Sequence, residues 1–164
     1  YFFMAQLDMT DFSPRDPLGL LPKEGLLFVF VRGYGEQGIV RYSPSPRREL
    51  KRVTREHSDW YFSGRLIGQV KQSTERLESR YSINEHGKRV WNEFAGEELS
   101  KIYGIYTDVQ AAEDEIRERM AKGDILLLQV GEAFLGEGTH SVFIKKDSLK
   151  KLDFSECRFQ YSQT

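Results

Sequence analysis

Cysteine is nearly missing from this sequence. Cys157 stands alone, which excludes an internal disulfide framework and a CxxC-type metal site. Histidine is scarce too: His57, His86 and His140 lie far apart, without the i, i+4 or His-x-His spacing of a metal centre, so no metal is expected. Charge of one sign is also lacking. The 24 Lys and Arg against 25 Asp and Glu leave a net charge of −1. Nucleic-acid binders draw much of their affinity from a basic excess that neutralises phosphate, so nucleic acid is not an expected partner. No apolar run reaches the roughly 18–20 residues that cross a bilayer, and no basic segment leads an apolar one to a cleavage site. The expected setting is the reducing cytoplasm, away from membranes. A P-loop and a Gly-x-Ser-x-Gly elbow are absent, and no cofactor is expected.

What is present is apolar and aromatic: 39% of residues are hydrophobic and 13% aromatic. The length fits one domain with its own core, and Phe and Tyr favour pleated surfaces. The most continuous apolar run is Gly123-Asp124-Ile125-Leu126-Leu127-Leu128-Gln129-Val130, which reads as a strand buried on both faces. Tyr1-Phe2-Phe3-Met4-Ala5-Gln6-Leu7 echoes it, again apolar around a single Gln. A second strand follows each after a loop, at Gly25–Phe30 and at Ser141–Ile144. The pattern predicts two related β units in one domain over residues 1–164. Because the chain starts at Tyr1 inside a strand and without Met, an N-terminal part is expected to be missing.

Between these runs, Thr10–Glu24 holds Pro14, Pro17, Pro22 and Gly19 and reads as a loop with room for one helical turn. Gly33, Gly35 and Gly38 match GxGxxG, but they join two strands and open no helix, so they read as a hairpin before a third strand at Ile39–Tyr42. Arg47 to Arg55 is basic but diluted by Glu49. It reads as a charged edge or loop, with an anion or acidic-partner site as the sharper alternative. A helix is predicted from Asn84, with His86, Val90 and Phe94 on one face and Gly96 as its end. A second is predicted over Ala111–Lys122, closed by Gly123. A turn at Lys145–Leu152 and a last strand at Cys157–Tyr161 complete the chain.

Several of these stretches together resemble the YwqG-like family, a largely bacterial domain of unknown function. They are Phe3-Met4-Ala5-Gln6-Leu7-Asp8, Leu21-Pro22-Lys23-Glu24-Gly25 with the aromatic strand after it, Lys101-Ile102-Tyr103-Gly104-Ile105-Tyr106 with Gln110, the Gly123–Val130 strand, and Asp153-Phe154-Ser155. The likeness covers most of the chain outside about Glu49 to Glu98. Two family features differ: Gly131-Glu132 stands where Ser-Asp is usual, and Leu135-Gly136-Glu137-Gly138 replaces a Trp-Gly-Asp-type turn. A site resting on those acidic residues in relatives does not carry over. The resemblance implies an α+β fold, predominantly antiparallel β and roll-like, with two or three short helices, and it carries no established reaction.

Candidate ligand- or partner-binding residues are Gln6, Asp8, Trp60, Tyr103, Tyr106 and Gln129. A buried amide without partners costs on the order of 1–3 kcal/mol. Gln6 and Gln129 should therefore bond backbone where the two halves meet, or else line a shared pocket. Tyr103, Tyr106 and Trp60, with Tyr34 and Tyr61, sit in loops, where recognition residues concentrate. With no catalytic constellation, the expected function is a non-enzymatic interaction module for a partner protein, immunity-like in character. The alternatives are a hydrolase using Asp8 or another carboxylate in a cleft between the two β units, and a small-ligand site around the Gln pair.

Overall fold

Two antiparallel meanders, one towards each end of the chain, carry most of the described backbone. The computed structural model describes residues 1–33, 35–51, 53, 70–72, 81–83, 85–87, 89–91, 100–107, 117, 118, 120, 122–131 and 138–162. The first meander is β1 (Phe2–Asp8), β2 (Leu26–Arg32) and β3 (Gln37–Ser43), and the second is β6 (Asp124–Val130), β7 (Thr139–Lys145) and β8 (Arg158–Ser162). Each is ordered as it runs in sequence, so the middle strand pairs with both neighbours. Between them lies a two-stranded hairpin, β4 (Tyr81–Ile83) with β5 (Arg89–Trp91). The described helices are short: α1 (Met9–Phe12), α2 (Lys146–Lys150), and helical backbone at 117, 118 and 120. None is long and apolar enough to cross a membrane.

The core is shared between the meanders. Residues directly opposite across an antiparallel pair share a face of the sheet. The first meander turns Leu7, Leu27, Val29 and Val40 inward, and the second turns Leu127, Leu128, Val130, Val142 and Ile144 towards them in one continuous cluster. Burying such a side chain fully is worth about 1.5–3 kcal/mol, so this interface dominates the stability of the described chain. Met9, Leu149 and Phe154 close its ends.

Each meander carries one irregularity, in its first strand. The register shifts between Phe3 and Ala5 in β1 and between Leu126 and Leu128 in β6. Two residues there oppose one, as in a β-bulge. Gln6 and Gln129 each follow directly after it. The two β units of the sequence are thus related in detail.

The region from Asn84 differs from its helical reading. Residues 85–87 form a turn and 89–91 are strand, paired back on 81–83. Gly87 has φ +71°, a left-handed turn conformation that a continuous helix cannot contain, and it disconnects His86 from Val90. Phe94, Asn84 and most of the predicted Ala111–Lys122 helix lie outside the described residues. The turn expected at Lys145–Leu152 winds into α2, and β3 begins at Gln37, taking in Gly38.

Candidate functional site

The outer face of the second meander is where the polar candidates gather. Gln129 and Ser141 are directly opposite, with Gln160 beyond Ser141 on β8, and Leu126, Phe143 and Arg158 form the next row. Residues 100–107 lie against this edge and face. Lys101 and Gln129 exchange two backbone hydrogen bonds of 2.8 Å, and the Tyr103 N–H donates to the Leu126 carbonyl at 2.9 Å. Gln129 is wholly buried. Its Oε1 accepts from the Thr107 N–H at 3.1 Å and its Nε2 donates to Thr107 Oγ1 at 2.5 Å. The amide ties the loop to the sheet.

The two tyrosines of that loop are buried, contrary to their reading as surface recognition residues. Tyr106 is fully buried and packs edge-on to Phe143 with ring centroids 5.0 Å apart. Tyr103 holds φ +63° and sits in the shared core. Burial, with Asp16 close by, pushes its phenol well above the usual range. The reason lies in tertiary placement: a segment without regular structure has been recruited as cover for a sheet. Trp60, like Tyr34 and Tyr61, lies outside the described residues.

Gln6 is corrected as a buried amide. It is exposed, on the outer face of β1 opposite Phe28. Since the meanders pack through their inner faces, Gln6 and Gln129 point away from one another and line no common pocket. On the same face as Gln6, Phe3 is 59% exposed and meets Phe30 edge-on at 5.9 Å, while Tyr1 and Phe2 at the start of the strand are 60% and 51% exposed. Among the described residues nothing pairs with the free edge of β1.

Asp8 caps α1. Its carboxylate accepts from the Thr10 N–H at 3.1 Å and from the Thr10 hydroxyl at 2.7 Å. It also lines a cleft of about 510 Å³ with Glu24, Glu49, Arg47 and Arg48. Among the described residues that lining comes from the 8–49 part of the chain, and it mixes both signs of charge.

Two further groups were not singled out by sequence reasoning. His140 is half-buried against Tyr161, with ring centroids 4.6 Å apart, and its Nδ1 has no hydrogen-bond partner among the described residues. Burial lowers its pKa to about 4. Gly35, at φ +96°, packs on that ring so closely that a Cβ would overlap it. The buried hydroxyls of Thr139 and Ser141 on the outer face are likewise without partners. Alternation along β7 was the available signal for their placement, but a lone His between Thr and Ser gave no reason to rank it. Cys157, half-buried and near Asp153, has its thiol pushed up to about 12 by that burial and is a poor nucleophile. Among the described residues no three His, Cys, Asp or Glu side chains are placed to hold a metal ion.

The profile of a family described as Domain of unknown function (DUF1963) matches residues 1–162. No curated protein and no solved structure matches the chain.

Proposed function

Because the chain belongs to the DUF1963 family, a domain of unknown function, over nearly its whole length, we propose that it is a non-enzymatic interaction module that binds a partner polypeptide. One observation carries this. Among the described residues the first meander presents an unpaired strand edge, with Tyr1, Phe2 and Phe3 at its start each more than half exposed. Exposed large aromatics clustered at an open sheet edge, as Phe3 is against Phe30, mark contact sites. An immunity-like role, in which this surface neutralises a partner protein in the cytoplasm, fits the same features. So do the YwqG-like motifs and a roll-like closure of the two meanders.

The hydrolase alternative would rest on the cleft beside Asp8. Its carboxylates share an open surface with two arginines, and the Asp8 carboxylate is engaged in capping α1. A general acid or base needs a drier setting that tunes its protonation. The cleft therefore favours the interaction module over catalysis.

The test is capture from the native cell lysate with the tagged protein and its Phe2→Ser/Phe3→Ser variant in parallel. A polypeptide held stoichiometrically by the first and lost by the second supports the proposal. A polypeptide held equally by both, a small-molecule adduct in native mass spectrometry, or nothing bound would each count against it.

A further inference from the structure

The two meanders repeat one another closely enough for the covered one to serve as a template for the open one. Counted from the bulges, Phe3 corresponds to Leu126, Gln6 to Gln129 and Phe30 to Phe143. In the second meander all three positions are engaged by residues 100–106. Lys101 bridges Gln129 through two backbone bonds of 2.8 Å, the Tyr103 N–H donates to Leu126, and the Tyr106 ring stands against Phe143. In the first meander Phe3 is 59% exposed, Gln6 is exposed and Phe30 is half-buried.

The backbone of Gln6 is also turned the right way. The Met9 N–H donates to the Gly25 carbonyl at 2.9 Å. Bonded and non-bonded pairs alternate along an antiparallel ladder. Counting back, Leu7–Leu27 is a bonded pair and Gln6–Phe28 a non-bonded one, so the Gln6 N–H and C=O point out from the free edge. Gln129 is turned in the same way, as its bonds to Lys101 show.

Building on the interaction module above and naming its mode, we infer that the free edge and outer face of the first meander bind an extended segment of a partner polypeptide by strand addition, in the register of residues 100–106. A polar or basic residue of the segment bridges Gln6. The residue two further on donates its N–H to the Phe3 carbonyl, and an aromatic residue five further on covers Phe30. Main-chain bonds supply the affinity of such a contact, and the aromatic anchor supplies its selectivity. A second copy of this chain fits less well. Antiparallel pairing centred on Gln6 would set Phe3 against Met9, which has already left the strand for α1.

The probe is a synthetic peptide with the sequence Ser-Lys-Ile-Tyr-Gly-Ile-Tyr of residues 100–106, titrated into the whole protein while backbone amide shifts and hydrogen exchange are followed. The expected result is slowed exchange at Gln6 and shifts at Phe3 and Phe30. Binding should weaken at least about tenfold in Gln6→Pro, since proline removes the outward N–H. Phe30→Ser should also weaken it, which keeps the test decisive if Gln6→Pro does not fold. Several outcomes overturn the inference: no binding, shifts confined to the cleft around Asp8 or to Leu126 and Gln129, or a Gln6 amide already protected without peptide in a concentration-dependent way. The last would make the occupant a second copy. Failure of the peptide with successful capture by the aromatic surface would sink this mode alone, whereas failure of the capture would sink the interaction module itself.

Discussion

Gln129 is wholly buried and bonded at both ends of its amide to Thr107, whereas Gln6, at the same place after the same kind of bulge, is open to solvent. Around Gln129 the outer face of the sheet is covered by Tyr106 and Thr107. Around Gln6 the corresponding face shows Phe3, Phe28 and Phe30 with no such cover among the described residues. Two units of one plan thus diverge at a single step, the docking of residues 100–107. A closed face contributes stability, and an open one of the same construction is available for a partner.

The contrast can be broken most forcefully at Tyr106. Tyr106→Ala empties a fully buried site against Phe143 and should cost about 3–5 kcal/mol, measured by denaturant unfolding. Phe3→Ala, on the open face, should cost well under about 1 kcal/mol. Equal losses at the two positions would mean that the first face is covered after all. The glutamines repeat the experiment with polarity in place of volume. Gln129→Leu removes both buried bonds of the amide to Thr107 and should cost about 2–3 kcal/mol, while Gln6→Leu should stay within about 0.5 kcal/mol. Thermal melts of the pair would decide it.

Where the first meander meets the second, Gly35→Ala should cost about 2 kcal/mol. The new methyl group meets the His140 ring, and φ +96° is strained for any residue with a Cβ. Acid probes the same contact. Burial lowers the His140 pKa from 6.5 to about 4, so between those values the unfolded chain binds a proton that the folded chain resists. Stability is therefore full above about pH 6.5 and declines as pH falls towards about 4, by about 1–2 kcal/mol for a half-buried ring. His140→Phe should flatten that part of the pH profile, and an unchanged slope would place its origin elsewhere. The smallest effect belongs to Phe2→Ser/Phe3→Ser, which should leave the melting temperature within about 2 °C while removing partner capture.

Much of this plan was legible in the chain. Ile125–Leu128 reads as a strand buried on both faces because nothing polar interrupts it, and it is one. Gly33 to Gly38 reads as a hairpin because a strand lies on either side. The echo between the two Gln-bearing strands proved to be a repeat down to the bulge. Local signals failed where a pattern had two readings. His86, Val90 and Phe94 recur at helical spacing, but Gly87 turns the chain between them and short-range turn chemistry prevails. Tyr103 and Tyr106 look like surface aromatics because loops are usually exposed, yet this loop lies across a sheet.

The amino-acid sequence by itself determined the two antiparallel units, their strands and their turns, since alternation, apolar runs and glycines act over a few residues and bear their meaning locally. Tertiary structure alone decided which of two equivalent glutamines is buried and which tyrosines are core. Burial depends on what a distant segment covers, and residues 100–107 reach Gln129 from more than twenty positions away while Gln6, also set between two apolar residues, is left open.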